Sequence, residues 1–117
     1  MIDVNKIINK LLSPLRKEGI RVCYQYPESF KELPAVSYYD LLTSECFKAD
    51  NTEVSQLSRV QIDIWSDREA KPGEIAEKVN EIMQADSWQR ELKRDMPKGS
   101  ENHVYHTTMR FAKEIPL

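Results

Sequence analysis

Between Arg59 and Met83 the chain reads RVQIDIWSDREAKPGEIAEKVNEIM, and the period of its apolar residues changes once. Val60, Ile62 and Ile64 alternate with Arg59, Gln61, Asp63 and Trp65. Successive side chains of a strand point to opposite faces, so this alternation predicts a strand with one buried face. SDREAKPGE then supplies charge, Pro and Gly, the composition of a turn. From Glu74 onward Ile75, Val79, Ile82 and Met83 recur at i, i+4, i+7 and i+8, which places them on one stripe of a helix. A helix joined to a strand by so short a loop can lie back across the strand's apolar face. This unit is the predicted centre of the core, with Gln61, Asp63 and Trp65 turned away from it.

The flanking segments supply the rest of the layer. Val4, Ile7, Ile8, Leu11, Leu12 and Leu15 form the apolar stripe of a helix over Asp3–Lys17, which Asp3 can cap. Pro14 predicts a kink or an early end near Ser13, and Gly19 a stop. Ile20–Tyr26 is rich in β-formers, with Val22, Tyr24 and Tyr26 on one face. The polar, proline-bearing stretch after it is a connecting loop that Phe30 and Leu33 would pin to the core. Ala35–Thr43 predicts a second strand. Ser44–Gln56 is expected to be a mobile loop or a hairpin arm, with Asp50-Asn51 as its turn. After Ala85, DSWQRELKRDM fits a strand with Trp88, Arg90, Leu92, Arg94 and Met96 on one side. A helical reading, with Trp88, Leu92 and Met96 at i, i+4 and i+8, stays open. Val104–Lys113 predicts a closing strand with Tyr105, Thr107, Met109 and Phe111 on one face and His106, Thr108 and Arg110 on the other.

The resulting order is α-β-β-β-α-β-β. It predicts one α+β domain over residues 1–117, with two helices on one face of a mostly antiparallel sheet of four to five strands. At 117 residues there is room for a single core. The net charge of −2, with signs interspersed, gives no pull toward nucleic acid or anionic lipid, so specific nucleic-acid binding is not expected. No apolar run reaches the ~18 residues a membrane span requires, and none resembles a secretory leader. A reducing cytoplasm and two buried free thiols, Cys23 and Cys46, are therefore expected.

No motif carries evident chemistry. His103 and His106 lie three apart, on opposite faces if both are on a strand, and with the two cysteines they lack zinc-site spacing. Asp63 is the one carboxylate set tightly between apolar neighbours, but spacing nominates no catalytic partner for it. A cross-strand pair with Arg59 or Arg110 is the expected role. The glycines form no phosphate loop and no nucleophile elbow occurs. The expectation is a protein without enzymatic activity, cofactor or metal. A small enzyme or ligand-binding module, with a site around Asp63, Trp65 and His106, is the competing reading.

Four stretches carry a resemblance: VNKIINKLL, LPAVSYYDLL, QIDIWSDREAKPGEIAEKVNEIM and HVYHTTMRFAKEI. In this order they resemble the tail terminator (tail completion, or minor tail) proteins of long-tailed phages and prophages. The resemblance implies a structural protein that forms a ring, often of six subunits, at the head-proximal end of the tail tube. Its implied partners are further copies of itself, the tail tube protein and the head connector, and its implied place is the host cytoplasm during assembly and then the virion tail. A neighbouring head–tail connector or adaptor protein has a similar size and composition. The residues expected at partner contacts are Lys48, Asp50 and Asn51 of the arm, Asp63 and Trp65 of the central strand, and Lys93 and Arg94 near the sheet edge.

Overall fold

The computed structural model describes residues 2–47, 50, 52–97 and 104–117. Helix α1 (Val4–Leu12) is capped by Asp3, whose side chain accepts from the Lys6 amide. Pro14 converts the continuation into a 3-10 turn, Ser13–Glu18, closed by Gly19 at φ 79°. That left-handed conformation disfavours a side chain, so a glycine ends the helix there. Strands β1 (Arg21–Tyr24), β2 (Ala35–Phe47) and β3 (Glu53–Ser66) follow, then helix α2 (Lys71–Ala85) and strands β4 (Gln89–Met96) and β5 (Tyr105–Pro116). The strand reading of the segment after Trp88 holds, and the helical one does not.

The five strands lie in the order β1-β2-β3-β5-β4. Only β1 and β2 are parallel; the other neighbours are antiparallel. Both helices pack on one face, giving the α+β layer expected. The core on that side joins Val4, Ile8, Leu12 and Leu15 of α1 to Ile75, Val79 and Met83 of α2 over Val36, Val60, Ile62, Ile64, Met109 and Phe111. Ile82 packs against this cluster at its edge. Burying each of these large side chains stabilises the fold by about 1.5–3 kcal/mol. Trp88, 2% exposed, plugs the end of α2, where its Nε1 donates to Asp86 Oδ2. Lys113 Nζ donates to the Asp86 carbonyl across the same corner.

Strands β2 and β3 run 13 and 14 residues, more than twice the usual length. Their outer halves pass beyond the helices and form an arm, paired antiparallel from Ser44↔Leu57 to Phe47↔Glu53. β5 follows β3 out along this arm as far as the Ser55–Pro116 pair. On the helix side, buried Gln56 exchanges two hydrogen bonds with the backbone of Ile2, tying the start of α1 to the arm. The other side of the arm leaves Leu42 55% and Phe47 52% exposed. Lys48 and Asn51, expected at its tip, lie outside the described residues.

Four local expectations need correction. Strand β1 ends at Tyr24 because Gln25 takes φ 65°, which turns Tyr26 away from the face of Val22 to the opposite side of the sheet. Phe30 does not pin its loop to the core; it packs on Trp65, on the face without helices. A register shift between Arg90 and Leu92 puts Arg90 on the helix side, while Leu92, Arg94 and Met96 share the far side. The two cysteines are free, as expected, but half-buried and not buried.

Candidate functional site

Among the described residues the face of the sheet away from the helices has no second layer, yet its centre is closed to solvent. The register brings Ser37 of β2, Asp63 of β3 and Thr108 of β5 into one row, with Tyr39 and Gln61 in the next and Trp65 and His106 at the other side. Side chains at directly opposed and diagonal positions on one face touch, so these residues form one cluster. Asp63 is 0% exposed. It accepts hydrogen bonds from Thr108 Oγ1 at 2.7 Å and from Gln61 Nε2 at 3.1 Å, and its Oδ1 lies 2.7 Å from His106 Nε2. An ionised carboxylate only accepts, so the proton of that short contact sits on His106 Nε2.

Burial pushes the Asp63 carboxyl up. The bonds from His106, Thr108 and Gln61, with the charge of His106, outweigh it and hold the group below the usual range. The expected partner of Asp63 therefore changes. Neither arginine pairs with it: Arg59 Nε reaches Glu91 at 3.1 Å, and Arg110 Nε donates to Gln61 Oε1 at 3.2 Å. Arg110 is joined to Asp63 only through Gln61.

An aromatic group closes the cluster on the side of β1 and β2. Trp65 stacks on His106 with centroids 3.7 Å apart and planes 12° from parallel. Its Nε1 donates to Ser37 Oγ, and Phe30 and Tyr26 pack against it at 5.2 and 5.9 Å. Tyr39 lies beside Tyr26, and burial, then a hydrogen bond with the Tyr26 side chain, pushes its hydroxyl up to about 12. On the opposite side Arg94 and Arg110 are exposed beside Leu92.

The residues expected at partner contacts are thus separated by the fold. Trp65 and Arg94 share the outer face. Asp63 shares it too but lies beneath its neighbours, so it supports the surface and does not touch what binds there. Lys93 is on the helix side, where it lines a cleft of about 410 Å³ with Glu69, Pro72, Asp95 and the edge of His106. Asp50 is at the arm tip, exposed, accepting from the Thr52 amide. Sequence reasoning put Gln61 on the face of Asp63 and Trp65, and Thr108 and Arg110 on the face of His106, but named none of the three as a site residue. The β5 alternation carried the signal for the last two.

The Asp63–His106 pair has the form of an orienting acid behind an imidazole. Among the described residues, no group of three or more His, Cys, Asp or Glu side chains is placed to hold a metal ion. No helix of the described residues is long and apolar enough to cross a membrane. No protein-family model matches the chain, and no curated protein matches it significantly.

Proposed function

We propose that this chain is a structural assembly protein of a phage or prophage tail, capping the head-proximal end of the tail tube as an oligomeric ring. The reading rests on the resemblance of its four stretches. The observation in the fold that supports it is the outer face of the sheet, a rigid, hydrogen-bonded surface of Trp, Tyr and Arg without a covering layer. Trp, Tyr and Arg are the residues that dominate binding energy at protein interfaces. The projecting β2–β3 arm, with Leu42 and Phe47 exposed, supplies a second surface with which to reach a neighbouring subunit or the tube. On this reading the protein acts in the host cytoplasm and ends in the virion. A head–tail connector would use the same surfaces, and the gene's neighbours distinguish the two.

The experiment is to make tails without this chain and to view them by electron microscopy. Tubes of uncontrolled length that fail to join heads are expected, and tails of normal length would sink the reading. A second reading, a ligand-binding module or small enzyme, draws on the cleft that reaches the edge of His106. Its test is a ligand screen by His106 chemical shift, where saturable shifts lost in His106→Gln would favour it.

A further inference from the structure

The outer face holds Arg110 in a fixed attitude. Gln61 is anchored by Asp63 and in turn accepts from Arg110 Nε, so the Asp63–Gln61–Arg110 chain sets the direction of the guanidinium. Its two terminal nitrogens have no partner among the described residues, and Arg110 is exposed. Arg94 stands on the same face. Because Leu92 opposes Arg110 and Arg94 opposes Thr108, the two arginines are diagonal neighbours, roughly 7–8 Å apart between backbones. Arg94 likewise has no partner among the described residues. A pre-oriented fork with both ends free matches a carboxylate in bidentate geometry.

The complementary charge is on the other side of the same molecule. Helix α2 exposes Glu77 and Glu81, which form no ion pair among the described residues, whereas Glu74 is engaged by Lys71. At i and i+4 their side chains are neighbours, about 5–6 Å apart, a spacing that two diagonal arginines can meet. The two surfaces lie on opposite layers of one domain, so neither can reach the other within a chain.

We propose that the outer sheet face of one copy, through Arg110 and Arg94, docks on Glu77 and Glu81 of α2 in a second copy. The contact is head-to-tail: it uses two different patches and leaves the pair with one free surface of each kind, one on each copy. Contacts of that type close into rings when the rotation permits. This deepens the assembly reading and rests on it for biological meaning, but it is tested on the purified chain alone. The contact is dominated by charge and lies at the surface, so it weakens as salt shortens the range of the charges.

The test uses Arg110→Glu and the double variant Glu77→Arg/Glu81→Arg, all at exposed positions, with folding checked by circular dichroism. Mass is measured by light scattering up to about 1 mM, where millimolar contacts become visible. The native chain is expected to self-associate at low salt and less at high salt. Each variant alone is expected to associate roughly tenfold more weakly or not at all, because like charges then face each other. An equimolar mixture of the two is expected to recover association, since the helix variant keeps Arg110 and Arg94, Arg110→Glu keeps Glu77 and Glu81, and these two unaltered surfaces meet as in the native contact. Three results overturn the proposal: a native chain that stays monomeric at low salt, Arg110→Glu associating like the native chain, or a mixture that recovers nothing. None of them decides the tail reading, which stands or falls on tube length. Loss of association by Arg110→Glu without recovery in the mixture would point instead to an acidic surface other than α2.

Discussion

Replacing Asp63 by Asn removes one charge from a site with no solvent and leaves the shape almost unchanged. The carboxylate is the acceptor for Thr108 Oγ1, Gln61 Nε2 and His106 Nε2. Hydrogen bonds to a charged group contribute about 1.5–3 kcal/mol each. An amide keeps one acceptor oxygen but points its NH2 at a neighbour that is itself a donor. Disrupting one partner of a buried ionic cluster costs about 3–5 kcal/mol, a large share of the roughly 5–15 kcal/mol that holds a domain together. For a chain of this size that corresponds to a fall of about 12–20 °C in Tm. The pH dependence separates charge from packing. Because Asp63 is held below its ordinary value of 3.8, its contribution is fully present above that pH and is lost as pH falls through the lower folded value. Asp63→Asn has no such titration. Urea unfolding of both proteins as a function of pH should therefore give a gap that narrows as pH falls below about pH 4. A gap under about 1 kcal/mol, or one that does not narrow in acid, would refute the account of Asp63 as an ionised keystone.

Trp65→Phe keeps a ring to stack on His106 but removes the donor to Ser37 Oγ, and should lower stability by about 1 kcal/mol in chemical denaturation. Gly19→Ala meets no atom within 4 Å, yet its φ of 79° disfavours a side chain. It should lose about 1–2 kcal/mol through backbone strain alone, visible as a Tm shift with an unchanged circular dichroism spectrum. Leu42→Glu lies on the exposed side of the arm and should change stability by less than about 0.5 kcal/mol. It should reduce co-sedimentation with tail tubes if the arm reaches them.

Alternation and helical stripes carried the fold, because one face of each central element is selected for burial. Val60, Ile62, Ile64, Ile75, Val79 and Met83 are where their spacing puts them, and so are Met109 and Phe111. The arm was harder to read for the same reason. Beyond the helices both faces of β2 and β3 meet mostly polar surroundings, so Ser44–Gln56 carries no clean alternation from which to recognise two strands. The outer cluster was only half legible. The sequence puts Asp63 and Trp65 on one face, but which side chain meets Asp63 depends on the register of β3 against β5. That register pairs Asp63 with Thr108 and gives it His106, while the shift in β4 brings Glu91 to Arg59. Pairing is a property of two strands, and one strand's pattern does not contain it. Tyr26 was misplaced by a single torsion, the positive φ of Gln25.

A carboxylate with no exposure, on a face with no covering layer, also bears on why that face is polar. An apolar Val at position 63, with Val at 108 and Leu at 106, would fill the same row and remove the need for three donors. Replacing a buried charged cluster with well-packed apolar residues is often neutral or stabilising by about 1–4 kcal/mol. The triple replacement Asp63→Val/His106→Leu/Thr108→Val should therefore fold, with stability near or above that of the native chain. Its outer face would then join Trp65, Tyr39 and Leu42 into a continuous apolar patch, the kind that drives indiscriminate association. It would also release Gln61, and with it the fixed direction of Arg110. The expected outcome is a folded protein that aggregates at concentrations where the native chain does not, and whose association no longer falls with salt. A triple variant that is soluble and still salt-sensitive would show that the polar row directs nothing. A triple variant that fails to fold would show that the row holds the fold itself together.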